Sequence, residues 1–203
     1  MNQNLELARL FQERVHTYHE ARLLDEEHDL KKDWRTFSYI LSTLPITALY
    51  HITDSRNVPS IFEHGCLMSS NALSFHVWRA MSKPEDNANY VHLSFCPHVS
   101  VFRELKKQEA QPVQLTIDPI AALLQGTKFL YCSDPSTRQY YGDEKTESLL
   151  RVNFDAELQA LNQDLQERAK QFELEDMRNK YLNAVILVPH KIPSFLIKDI
   201  ELL

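Results

Sequence analysis

Glycine is scarce, with three in 203 residues. A phosphate-cradling loop of the Walker or Rossmann kind needs several glycines within one short turn, so neither is built here. Cysteine is equally scarce. Cys66, Cys96 and Cys132 are odd in number and far apart, which leaves no Cys-x-x-Cys pair for zinc and no disulfide framework. No apolar run approaches the ~20 residues that cross a bilayer. The start, Met1-Asn2-Gln3-Asn4, lacks the basic-then-apolar pattern of a secretory leader. A reducing cytoplasm is therefore the expected location. Basic charge is in deficit: the net charge is −6 and the pI about 5.8. That excludes the broad basic field of a tight, sequence-independent nucleic-acid binder. It leaves open an enzyme that touches a few nucleotides locally.

What is present is an ordinary soluble composition, 43% hydrophobic and 25% charged. The length suits one domain with a core, alone or with a helical appendage. Residues 1–31 are expected to form a helix, with Leu5, Ala8, Phe11, Val15, Tyr18 and Arg22 along one side. A second helix is expected over 33–44, capped by Asp33 and stopped by Pro45. The lead is expected to be a structural brace, or alternatively a partner-docking surface. Strands are expected at 48–52, 90–95, 113–117, 129–132 and 184–188, with a final turn and edge strand over 194–203. The apolar run at 184–188 is rich enough in valine and leucine to lie centrally. Helices are expected at 97–107 and 155–181 and a helical turn at 119–124. The first of these carries one compact basic cluster, Arg103, Lys106 and Lys107. The class is α+β, with five or six short strands in an antiparallel or mixed sheet. The expected division is a helical extension, 1–45, and a domain, 46–203.

The informative stretch runs from Leu49 to Leu67. It predicts a strand, a polar turn over 53–57 and a short helix opened by Pro59 and closed by Gly65. Proline suits a first helical turn, where its missing N–H has no partner anyway. Glycine just past a helix supplies the left-handed residue. His51 and Thr53 stand at the strand's mouth, two residues apart. An imidazole, a hydroxyl and helix-start N–H groups can there converge on one small polar ligand. The alternative is a Tyr50–His51 pair half-buried on a strand.

Tyr50-His51-Ile52-Thr53, then Asn57-Val58-Pro59-Ser60-Ile61, then Gly65-Cys66-Leu67 resemble the opening motif of the DarT-type ADP-ribosyltransferases. Further segments resemble the family in order: Trp78-Arg79, the aromatic strand from Tyr90 to Pro97, the strand and Ser-Asp turn from Phe129 to Ser136, and the last segment from Leu182 to Pro193. The resemblance covers about 48–200. It implies a split-sheet ADP-ribosyltransferase fold that transfers ADP-ribose from NAD to nucleic acid. NAD would be the substrate, with no metal. His51, Thr53 and Asn57 would bind it, and Tyr90, Ser94 and Phe95 would line the nicotinamide pocket. Arg79 would contact the NAD phosphate and shape the acceptor site, with a plain surface cation as the alternative.

The resemblance also exposes a departure. In the family's last strand a catalytic glutamate follows the alanine, and here that position is Val185. Valine accepts no hydrogen bond and stabilises no cation. The chain is then an inactivated toxin, a binding-only pseudo-enzyme, or an enzyme served by another carboxylate, with Glu147 and Glu175 as candidates. The acceptor implied is a base of single-stranded DNA or RNA, since chemistry on a base needs it out of the stack, with protein as a third possibility. The implied setting is a toxin–antitoxin or phage-defence system, with an antitoxin or chaperone as partner and no membrane. A non-catalytic nucleotide-binding regulatory module is the alternative of a different class.

Overall fold

A computed structural model describes residues 3–21, 29–43, 46–72, 88–95, 111–132, 140–145, 148–149 and 185–203. Helix α1 spans Gln3–Ala21 and α2 spans Trp34–Thr43. Strand β1, Leu49–Asp54, runs through a tight turn at Ser55–Asn57 into helix α3, Val58–Glu63. There follow β2 (Cys66–Met68), β3 (Tyr90–Ser94), β4 (Pro112–Ile117), β5 (Lys128–Cys132) and β6 (Tyr140–Tyr141). The last strands are β7 (Val185–Pro189), β8 (Lys191–Pro193) and β9 (Ile197–Leu202). The expected helices over 97–107 and 155–181 lie outside the described residues.

Seven strands form one sheet in the order β6-β5-β7-β3-β1-β4-β9, and β2 pairs with β8 in a second. Every pair among them is antiparallel. Among the described residues there are nine strands where five or six are expected, because β2, β6 and β8 are too short to show any alternation. Alternating residues explain the sheet's two faces. Leu49, Val91, Leu93, Leu115, Ile117, Phe129, Ile186 and Val188 are all within 2% of complete burial and form the core side. Tyr50, His92, Thr116 and Val185 occupy the other side and are half-buried. β7 is central, flanked by β5 and β3, as its composition suggests.

The helical lead departs from expectation at its end. Leu30 is not helical; it makes an isolated antiparallel bridge to Leu124, and Lys31 N–H donates to the Leu123 carbonyl at 2.9 Å. The long amphipathic pattern hid this because extended and helical residues can both alternate apolar and polar over a few positions. Val15, Tyr18, Trp34, Phe37 and Leu41 join Leu49, Leu115 and Phe129 in one core. Lys31 is buried and its ammonium donates to the Thr127 and Glu144 carbonyls at 2.5 and 3.1 Å. The stacked rings of Phe37 and Phe129 lie beside it. Burial pushes its pKa down, against the pull of Glu144, Asp33 and Asp143. Asp118, buried beneath the turn it caps, receives Arg14 from α1 and Lys198 from β9, each at 3.2 Å. The lead is thus fastened to both ends of the sheet.

Candidate active site

The sheet is nearly parted between β1 and β3. β1 matches β4 at six successive positions and β3 matches β7 at five. β1 and β3 share one, Tyr50 with Ser94. Beyond that pair the strands separate on the side where His51 and Thr53 emerge. His51 fills the opening: its Nδ1 lies 2.9 Å from the His92 carbonyl. A carbonyl only accepts, so Nδ1 carries the proton and Nε2 is left as an acceptor. Burial holds the His51 pKa below 6.5; the His92 carbonyl opposes that shift and the nearby His92 ring reinforces it. The ring is therefore neutral at pH 7.

The turn after β1 is built locally. Asp54 is buried and its carboxylate accepts the Arg56 backbone N–H at 2.9 Å and the Arg56 guanidinium. That pairing holds the Asp54 carboxyl below its usual range. Asn57 heads α3 but does not cap it; its amide donates to the Thr53 hydroxyl oxygen at 2.9 Å. The Thr53 O–H remains free to donate onward. Thr53 and His51, two residues apart, project on one side of β1. Gly65 closes the helix at φ +68°, as the sequence predicts.

Across the parting, Ser94 is buried and its hydroxyl donates to the Tyr50 carbonyl at 3.3 Å. Phe95 is buried in the core cluster. Tyr90 begins β3, and the Lys128 ammonium lies 4.9 Å from its ring centre. A hydrogen bond with Tyr90 raises the Lys128 pKa. Val185 is opposite Ser94 on β7. Tyr50, Ser94 and Val185 thus form one row across three strands. β3 lies between β1 and β7, so the histidine strand and the strand of Val185 are not neighbours. Two strand spacings, about 9.5 Å, separate position 185 from β1. Strict pleating assigns His51 to the face opposite Val185, while its Nδ1 reaches the His92 carbonyl of β3. Arg79, Glu147 and Glu175 lie outside the described residues.

Sequence reasoning passed over three contributors: the His92 carbonyl, the Asp54–Arg56 latch and Lys128. The latch had a signal, an aspartate two residues before an arginine in a turn. The other two depend on strand register, which no local pattern reveals. A cavity of about 820 Å³ opens elsewhere, between α1 and α2, lined by Arg9, His16, Trp34, Arg35 and Tyr39 among others. None of the residues that line it belongs to the β1–β3–β7 row. Among the described residues no group of three or more His, Cys, Asp or Glu side chains could hold a metal ion.

The antiparallel sheet, parted where a neutral histidine reaches the strand Tyr90–Ser94, is that of an ADP-ribosyltransferase-like domain. Residues 50–202 match the family model described as "ssDNA thymidine ADP-ribosyltransferase, DarT", and the chain belongs to that family. Solved structures share the fold. Thermus sp. 2.9 DarT in complex with carba-NAD+ is 21% identical at a TM-score of 0.52, over 77% of this chain and 82% of that one. The same protein in complex with ADP-ribosylated ssDNA is 20% identical at 0.51, over 76% and 80%. Thermosipho africanus DarTG in complex with ADP-ribose is 18% identical at 0.52, over 76% of this chain and 43% of that one. No curated protein matches the chain.

Proposed function

We propose that this chain binds NAD in the parting between β1 and β3, for transfer of ADP-ribose to a thymidine of single-stranded DNA. One observation carries the reading: the single Tyr50–Ser94 pair, with His51 set in the opening by the His92 carbonyl. Family membership and the NAD+ and ADP-ribosylated-ssDNA complexes of Thermus DarT support it. His51 Nε2 would accept from a ribose hydroxyl. Thr53, steadied by Asn57, would donate to the same nucleotide, and Tyr90, Ser94 and Phe95 would bound the nicotinamide side. Arg79 would meet the phosphates.

In such a transfer the bond from ribose C1 to nicotinamide breaks and nicotinamide leaves neutral. A nucleophilic atom of the base bonds to C1 and gives up its proton. Positive charge builds on the ribose meanwhile, and a carboxylate beside it lowers the barrier. Position 185 shares a row with Ser94 and is where such a carboxylate would act; Val185 supplies none. This chain would then hold NAD yet transfer poorly, as an inactivated form of a toxin that resides in the cytoplasm and is restrained by an antitoxin or chaperone. Residues 1–45 would brace the domain at 46–203.

The test is Val185→Glu, given NAD and a thymidine-containing single-stranded oligonucleotide, with products read by mass. The expected result is an ADP-ribose adduct from the variant and little or none from the native chain. Failure of the variant to modify DNA, RNA or protein removes the transferase reading. NAD binding without turnover in both then leaves a binding-only module.

A further inference from the structure

β9 ends the sheet, and its outer side is open among the described residues. Its register shows how. Leu202 is opposite Val113 and Ile200 opposite Leu115, so two core rows run out onto β9. Val113 and Leu115 are 2% and 0% exposed, whereas Leu202 and Ile200 are 74% and 36% exposed. The apolar face is unfinished there. The opposite face of the same strand is acidic: Asp199 lies beside Thr116, and Glu201 beside Gln114, whose amide reaches it at 3.5 Å. Lys198 is turned to the buried Asp118.

The backbone follows the same alternation. Leu203 N–H donates inward to the Pro112 carbonyl at 3.1 Å. Odd-numbered residues therefore face β4, and the N–H and C=O groups of Ile200 and Leu202 face outward. The outward N–H of Ile200 is held by the Asp199 carboxylate at 2.9 Å. That local bond masks the edge, in the way natural sheets guard unpaired strands.

We infer that β9 is a docking edge for an extended segment of another protein, in which lysine or arginine alternates with apolar residues. Such a segment extends the sheet by one strand. Its apolar side chains cover Ile200 and Leu202. Its cations sit beside Asp199 and Glu201, draw the Asp199 carboxylate away and release the Ile200 N–H for the new ladder. A second copy of this chain fits badly. Two-fold antiparallel pairing centred on residue 199 sets Asp199 against Asp199; centred on residue 200, it sets Asp199 against Glu201. Like charges directly opposite weaken a strand pair.

The test uses the full native chain and three fluorescent peptides: Thr-Lys-Val-Lys-Val-Lys-Thr, its counterpart with glutamate for every lysine, and the lysine peptide with alternate amides N-methylated. Binding is read by anisotropy, and amide exchange by NMR. The lysine peptide should bind at least about fivefold more tightly than the others, with slowed exchange at Ile200 and Leu202. Asp199→Lys with Glu201→Lys should reverse the preference toward the glutamate peptide. Equal binding of all three peptides, no binding, or protection elsewhere overturns the inference. So does concentration-dependent protection of Ile200 and Leu202 without peptide, which would mean that copies pair. The native chain's preference decides the matter even if the double variant misfolds.

Discussion

His51 is oriented by a backbone carbonyl, which no substitution can delete. Replacing the imidazole itself is the way to test it. His51→Ala should weaken NAD binding about threefold to tenfold, the worth of one neutral hydrogen bond, measured by calorimetric titration. The same residue sets a pH dependence. Its folded pKa lies below 6.5 through burial, so the unfolded chain takes up the proton first. Stability is then full above about pH 6.5 and falls as the pH drops toward the folded value. Urea melts at pH 7 and pH 5.5 should show a smaller loss in His51→Gln than in the native chain. An equal loss would mean that other groups carry the acid sensitivity.

At the scale of elements, the fastening of the lead makes sharper predictions. Lys31→Ala leaves the Thr127 and Glu144 carbonyls without their donor. An unsatisfied buried acceptor costs about 1–3 kcal/mol, which should lower the melting temperature by roughly 2–12 °C in a chain of this size. Gly142 is held at φ +137°, and a Cβ there would meet the Phe129 carbonyl oxygen at 1.9 Å. Gly142→Ala should therefore disrupt the β5–β6 pairing, seen as faster amide exchange at Tyr131 and Tyr141. Elements with a strong pattern were legible in the sequence: β1 by its strand-forming run, α3 by Pro59 and Gly65, β7 by its unbroken apolar stretch. The three-residue strands β2 and β8 were not. Their pairing, Cys66 with Pro193 through Met68 with Lys191, joins segments far apart in the chain. Nor was the break near Leu30, where a contact with Leu124 outweighs helical propensity.

For the whole molecule, the resemblance pointed to a split sheet, and the structure puts the split between β1 and β3. It could not reveal that β3 stands between the histidine strand and the strand of Val185, because strand order is set by long-range pairing. Nor could it show that Tyr50, rather than His51, shares the row of position 185. The candidate site draws on three strands, and the lead is bonded to segments at both flanks of the sheet. Hydrogen exchange of the native chain with and without NAD tests this account most directly. It predicts slowed exchange over residues 50–58, 90–95 and 185–187, while α1 and α2 are unchanged. Protection confined to the cavity between α1 and α2, or no protection at saturating NAD, would contradict it.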